Sequence, residues 1–170
     1  PVEVAHGVTV LATGGVEYRG GEYGFGTSPR IVTQQQFEAV LAARDVAWGE
    51  APPRTVVMIQ CVGPAEQYRA RICCSTALKN ALVLKRLDPK AKITVIYRDI
   101  RVYGFKERMY TGAREAGVVF MHYDDDNLPD VAVDPENGAV SIGLREEILG
   151  RDVVLEPDML VLSMPVIPSP

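Results

Sequence analysis

Two periods of apolar residues run along this chain. Short continuous apolar runs closed by turn residues predict buried strands at Val8–Ala12, Thr55–Gln60 ("TVVMIQ"), "KITVIYRD" and "VVFMHY". Helical spacing takes over between them. Thr33 is suited to cap "QQQFEAVLAAR", where Phe37, Val40 and Leu41 share a face. Ser75–Leu87 carries a broad stripe of Ala77, Leu78, Ala81, Leu82 and Leu84 and stops at Asp88-Pro89. A further helix is predicted from Phe105 to Ala116, ending at Gly117. "DVAVDPENGAVSIGL" predicts two strands about Asn137-Gly138, and "DVVLEPDMLVLS" the last extended segments. The glycines at 20, 21, 24 and 26 mark "VEYRGGEYGFGTSPR" as a loop. Strand, helix, strand, helix, strand implies parallel pairing with right-handed crossovers, hence an α/β domain with a β-meander.

Composition narrows the classes. The net charge of -4, with no basic block, argues against a nucleic-acid partner. No apolar run is long enough to span a bilayer, and no charged-then-apolar leader precedes the first strand. The three cysteines fall within residues 60–74, an odd number unlike a secreted disulfide framework, so a reducing cytoplasm is expected. The chain starts and stops on buried-type strands, which reads as a piece of a longer polypeptide. Gly49–Pro53 is the first plausible boundary.

Three chemistries compete for "QCVGPAEQYRARICC". A pyrophosphate-binding loop needs several glycines straight after its strand, and this one offers Gly63 alone, so a normal nicotinamide site is not expected. Cys61 at a strand's carboxyl end and Cys73 and Cys74 at a helix start are placed to converge, where the helix N-terminus favours thiolates. Zinc needs four ligands, and His6 and His122 lie far off in sequence, so a closed zinc site is poorly supported. Cys61 alone would read as core, but three cysteines at a strand-to-helix junction make a redox or metal role as good a reading as packing. Lys79, one turn into the helix, reads as solvent-facing. Arg98 and Arg101 in "YRDIR" are suited to a phosphate or, more plainly, to a solvated strand end. Asp124–Asp126 lacks the alternate spacing of a calcium loop and reads as a solvated turn.

The segments "VTVLATGG", "IVTQQQFEAVL", "VVMIQCVG", "YRARICCSTALKNALVLK", "ITVIYRDIRVYGFKERMY", "AREAGVVFMHYD" and "PDMLVLS" resemble, in this order, the A subunit of heterodisulfide reductase. The resemblance covers nearly the whole chain. It implies a thioredoxin-reductase-like flavoprotein core, that is, a three-layer FAD/NAD(P)-binding fold, with FAD and nearby iron-sulfur (4Fe-4S) clusters. It also implies partners: other heterodisulfide-reductase-like subunits, ferredoxin, and hydrogenase or formate dehydrogenase subunits. On this resemblance residues 1–51 and 158–170 are stubs of an FAD domain, and 52–157 is the inserted nucleotide-binding-like domain. Ala12, Thr13, Gly14 and Gly15 match the first FAD motif. Ser163 opens the second, where Ser163-Met164-Pro165 replaces a small residue followed by Thr-Gly. Cys61, Cys73 and Cys74 match cluster ligands. Arg69 stands where the fourth cysteine belongs, so the fourth ligand comes from elsewhere, the cluster has three protein ligands, or the site is vestigial. Lys79 matches a lysine near the flavin ring. Two rival readings stay open: an NAD(P)H-dependent flavin disulfide reductase using Cys73 and Cys74, and a docking module that has lost its cluster.

Overall fold

A computed structural model describes residues 2–43, 53–64, 71–146 and 150–169. Its centre is a sheet of five parallel strands in the order β2 (Ile31–Thr33), β9 (Met159–Leu162), β3 (Thr55–Ile59), β4 (Lys92–Tyr97), β5 (Val119–His122). Side chains alternate along each strand, and the sequence places apolar residues on both faces. On β3, Val56 and Met58 join one core, and Val57 and Ile59 join the other.

Three helices cover the first face: α1 (Gln34–Ala43), α2 (Arg71–Leu87) and α3 (Glu107–Glu115). Phe37 and Leu41, then Ala77, Leu78, Ala81 and Leu84, then Ala113 carry their apolar stripes into it. Burying a side chain such as Leu84 contributes about 1.5–3 kcal/mol. The second face is covered by an antiparallel meander of β6 (Asp130–Val133), β7 (Val140–Glu146) and β8 (Arg151–Leu155), through Val140, Ile142 and Leu144. The result is the α/β arrangement with a β-meander expected from the pattern, in the three layers that the resemblance implies. A ribbon of β1 (Gly15–Glu17) and β10 (Val166–Pro168) stands apart from both sheets.

Local chemistry fixes the ends of these elements. Thr33 Oγ1 accepts from the Gln36 N–H at 3.3 Å, while Gln36 Oε1 accepts from the Thr33 N–H at 2.8 Å, a reciprocal capping box at the start of α1. Asn137 Oδ1 accepts from the Ala139 N–H, and Gly138 takes φ +67° in the turn of the meander.

The chain departs from expectation at its start. Val8–Ala12 forms no strand: Val8, Val10 and Leu11 are 80%, 82% and 86% exposed, because no sheet edge among the described residues pairs with them. Apolar runs signal burial, and burial needs a partner surface. Two short strands, β1 and β2, arise in or beside the stretch expected to be loop; β2 exists because β9 pairs with it. The connector expected at Gly49–Pro53 lies, but for its last residue, outside the described residues. The expected boundaries at 51/52 and 157/158 leave β2, α1 and β9 outside residues 52–157, yet β9 lies between β2 and β3 in one sheet. The described part of α2 begins at Arg71, four residues before the expected start, so Cys73 and Cys74 lie inside the helix.

Candidate functional site

Cys61 follows β3 at its carboxyl end with φ +60°, in the left-handed region that non-glycine residues rarely occupy. The residues after β4 bring Asp99 and Arg101 alongside, and α2 brings Cys73 and Cys74. The Cys74 thiol donates to the Asp99 carbonyl at 3.8 Å. Arg101 Nε holds Asp99 Oδ2 at 2.5 Å, and Arg98 pairs with Asp125. Both arginines are thus engaged with carboxylates at the strand ends. Asp124 Oδ1 accepts from the Asp126 N–H, which makes the acidic run a local turn.

The three thiols feel one another. Cys73 donates to Cys74, and this hydrogen bond, reinforced by the Arg101 N–H, pulls the Cys74 pKa down to about 7 against the cost of burial. The same hydrogen bond, followed by burial, holds the Cys73 thiol far above its ordinary range. Burial first, then the charge of Cys74, raises Cys61. One proton therefore leaves this pair readily and the second is retained.

Gly63, at φ +65°, packs against the loop expected to be free of structure: a Cβ there would lie 2.5 Å from Tyr18 Cε1. Tyr18 Oη donates to Glu22 Oε1 at 2.8 Å, and the Tyr18 N–H to the Pro165 carbonyl at 2.9 Å. A glycine after the first strand of a dinucleotide site lets the pyrophosphate approach the backbone. Here the approach is taken by a tyrosine ring.

On the other side of Cys73 a pocket of about 280 Å³ opens between the starts of α1 and α2 and the segment after β9, with Gly15, Gln34, Glu38, Cys73, Thr76 and Ser163 in its wall. Its volume suits one edge of a planar ring rather than a whole dinucleotide. Lys79 reaches its rim through an ion pair with Glu38, Nζ to Oε2 2.6 Å. Both partners are about half exposed, at 42% and 52%, so the pair is solvent-screened.

The structure thus gathers Cys61, Cys73 and Cys74 at one corner, and Cys73, Gly15 and Ser163 around one pocket. Ala12, Thr13 and Gly14 stay exposed, and space around Gly14 is open. Arg69 lies outside the described residues. Among the described residues no three His, Cys, Asp or Glu side chains are arranged to hold a metal ion, so the thiols as placed do not form a ready ligand set. Two buried residues of the pocket region escaped the sequence reading, Gln34 and Asn80, 4% and 1% exposed. Asn80 did carry a signal: it falls within the apolar stripe of α2, three residues after Ala77 and four before Leu84.

No family model matches the chain. Curated proteins do. It is 30% identical to the A subunit of the H2/formate:CoB-CoM heterodisulfide,ferredoxin reductase of Methanococcus maripaludis, across 92% of this chain and 26% of that protein. It is 31% identical to the iron-sulfur A subunit of the CoB–CoM heterodisulfide reductase of Methanocaldococcus jannaschii, across 88% of this chain and 24% of that protein. The chain belongs to the family of heterodisulfide reductase A subunits. It spans about a quarter of the length of these relatives. Solved structures agree in fold. Ornithine hydroxylase of Pseudomonas aeruginosa, in its reduced form, superposes with TM-score 0.55 at 11% identity, over 92% of this chain and 45% of that one. Thioredoxin reductase of T. acidophilum does so with TM-score 0.51 at 11% identity, over 92% and 43%. A cadaverine monooxygenase of Erwinia amylovora, bound to FAD, gives 0.51 at 9% identity, over 94% and 44%. This member of the family therefore shares the mixed α/β fold of these solved structures. Among its described residues no helix is long and apolar enough to cross a membrane.

Proposed function

We propose that this chain is an electron-relay segment of an oxidoreductase of the heterodisulfide reductase type, with FAD meeting it at the pocket beside Cys73. The observation that carries this reading is the meeting of Cys73, Ser163 and Gly15 in one wall, which sets one thiol of the corner beside a residue from each motif segment. The names of the relatives support the ferredoxin and H2/formate linkage, and one structural neighbour is bound to FAD. The flavin would supply electron transfer in one- or two-electron steps.

The chain's own residues have definite parts. Gly15, in the ribbon, leaves room for the close approach of Val166 and Ile167 on the facing strand, Ser163 offers a hydroxyl, and Lys79 places a cation at the rim, where it would favour negative charge in a bound ring. Cys61, Cys73 and Cys74 are the candidate ligands of an iron-sulfur cluster; with three thiols, no grouped ligand set among the described residues and Arg69 outside them, no step is routed through it. The partners would be other heterodisulfide-reductase-like subunits, ferredoxin and hydrogenase or formate dehydrogenase subunits, in a reducing cytoplasm. Tyr18 against Gly63 weighs against the nicotinamide-dependent rival.

Anaerobic reconstitution of the full-length protein tests the cluster. Iron uptake with a paramagnetic signal that Cys73→Ser abolishes is expected. No uptake, or uptake indifferent to Cys73→Ser, overturns the cluster; a full-length protein that binds no FAD overturns the flavoprotein reading.

A further inference from the structure

A buried polar chain joins α2, α1 and the segment after β9. Asn80 Nδ2 lies 3.1 Å from the Gln34 carbonyl oxygen and 2.9 Å from Gln34 Oε1, and Gln34 Nε2 lies 3.2 Å from Ser163 Oγ. All three residues are 4% exposed or less. Their donor directions can be deduced. A backbone carbonyl only accepts, so the Asn80 NH2 must face it, and the same NH2 donates to Gln34 Oε1. Asn80 Oδ1, left without a partner, is the cost of this orientation. With Oε1 fixed as acceptor, the Gln34 NH2 faces Ser163. An amide nitrogen only donates, so Ser163 Oγ accepts and its own proton must point elsewhere. The Ser163 backbone is already engaged: its N–H donates to the Ile59 carbonyl and its carbonyl accepts from Val62. Gln34 and Ser163 both line the pocket that holds Cys73.

We propose that Gln34 is a positioning residue that commits the Ser163 hydroxyl to donate into this pocket, toward an acceptor atom on the edge of the bound flavin ring, a carbonyl oxygen or ring nitrogen. The inference rests on the FAD reading above and adds a direction to it. A donor fixed before the ligand arrives stabilises an acceptor most when that acceptor gains negative charge, so the relay favours the reduced ring over the oxidised one. Asn80 acts one step further back, by denying Gln34 the opposite orientation.

The test uses the full-length protein as wild type, Ser163→Ala, Ser163→Thr and Gln34→Met, with FAD affinity read by fluorescence and the flavin midpoint potential by anaerobic spectral titration. Ser163→Ala is expected to weaken FAD binding about 5–10-fold, the loss of one hydrogen bond, and to lower the potential. Ser163→Thr, which keeps the hydroxyl, restores both. Gln34→Met, similar in shape, reproduces the fall in potential though Ser163 is intact. Wild-type affinity and potential in Ser163→Ala overturn the inference while leaving the FAD reading standing. A wild-type protein without FAD overturns that reading and the inference with it. Should Gln34→Met fail to fold by circular dichroism, the Ser163→Ala and Ser163→Thr pair decides.

Discussion

Gly63 and the Tyr18 ring are in contact so close that a Cβ on residue 63 would fall 2.5 Å from Tyr18 Cε1, with Cδ1 at 2.9 Å. The contact crosses 45 residues of sequence and joins the glycine-rich loop to the end of β3. It explains why one glycine persists where a phosphate loop would carry several: the backbone there is approached by this chain's own ring. Gly63→Ala should therefore cost stability twice, by forcing a side chain to φ +65° and by displacing the tyrosine. Left-handed backbone alone costs about 1–2 kcal/mol, and the total is expected at about 2–3 kcal/mol, a fall in Tm of roughly 5–10 °C for a domain of this size. Tyr18→Ala in the same background should recover the steric part and leave the backbone part, so thermal melts of the two single variants and the double variant separate them.

The pattern of apolar residues revealed the helical layer, β3 to β5 and the meander, because those segments bury the faces that their periodicity marks. It failed at Val8–Ala12, which has strand character and no strand to pair with among the described residues, and at β2, whose three residues owe their strand state to β9 more than a hundred positions later. Local spacing carries no record of such pairing. The cysteine corner was legible because strand ends and helix starts meet in any βαβ unit. Tyr18, Gln34 and Asn80 were not, since nothing local says which buried polar residue will find a partner 46 or 129 positions away.

The Cys73–Cys74 pair makes stability rise with pH between about 7 and 9 and fall again above that. Cys74 falls from an ordinary value of 9.0 to about 7 in the folded chain, so between those values the unfolded state binds the extra proton. Stability from this thiolate is present above about pH 9 and is lost as pH falls through about 7. Cys73, held up, acts in the opposite sense and loses stability as pH rises past its ordinary value. Thiolate absorbance near 240 nm should accordingly show one thiol titrating about pH 7, and Cys74→Ser should remove that step. A Cys74→Ser protein that keeps a step near pH 7 would assign the thiolate to another cysteine.

Lys79 and Glu38 test whether an ion pair at the pocket rim is structural. With both side chains near half exposed, the pair should contribute no more than about 0.5 kcal/mol, and less at high salt. Lys79→Met is therefore expected to leave the Tm of the chain within about 2 °C. In the full-length protein the same change should lower the flavin midpoint potential, because a cation favours the anionic reduced ring. Glu38→Gln, which frees the lysine from its carboxylate, should raise it. Equal potentials in both variants would show that Lys79 serves only the surface.

Asp158 ties β9 to the start of β3: its Oδ2 accepts from the backbone N–H of Arg54 and of Thr55, each at 2.8 Å, and its own N–H donates to the Thr55 carbonyl at 2.9 Å. The carboxylate thus satisfies two donors at a strand end that the sheet ladder does not reach, and sets the register in which Val56 faces Met159. Charge-assisted bonds of this kind are among the stronger ones, though solvent access at this edge weakens them. Asp158→Ala should cost about 1–2 kcal/mol in urea unfolding, and Asp158→Asn, which keeps one acceptor, about half as much. The larger consequence concerns β9 itself. Leu160, Val161 and Leu162 are fully buried, and their strand separates β2 from β3. A chain of residues 52–157 alone would expose one edge of β3 and strip both cores of these side chains, about 1.5–3 kcal/mol for each. Against a typical stability of about 5–15 kcal/mol that loss is decisive, so this segment alone should bind hydrophobic dyes and unfold without a sharp transition. A cooperative melt of residues 52–157 would show instead that the unit closes without β9.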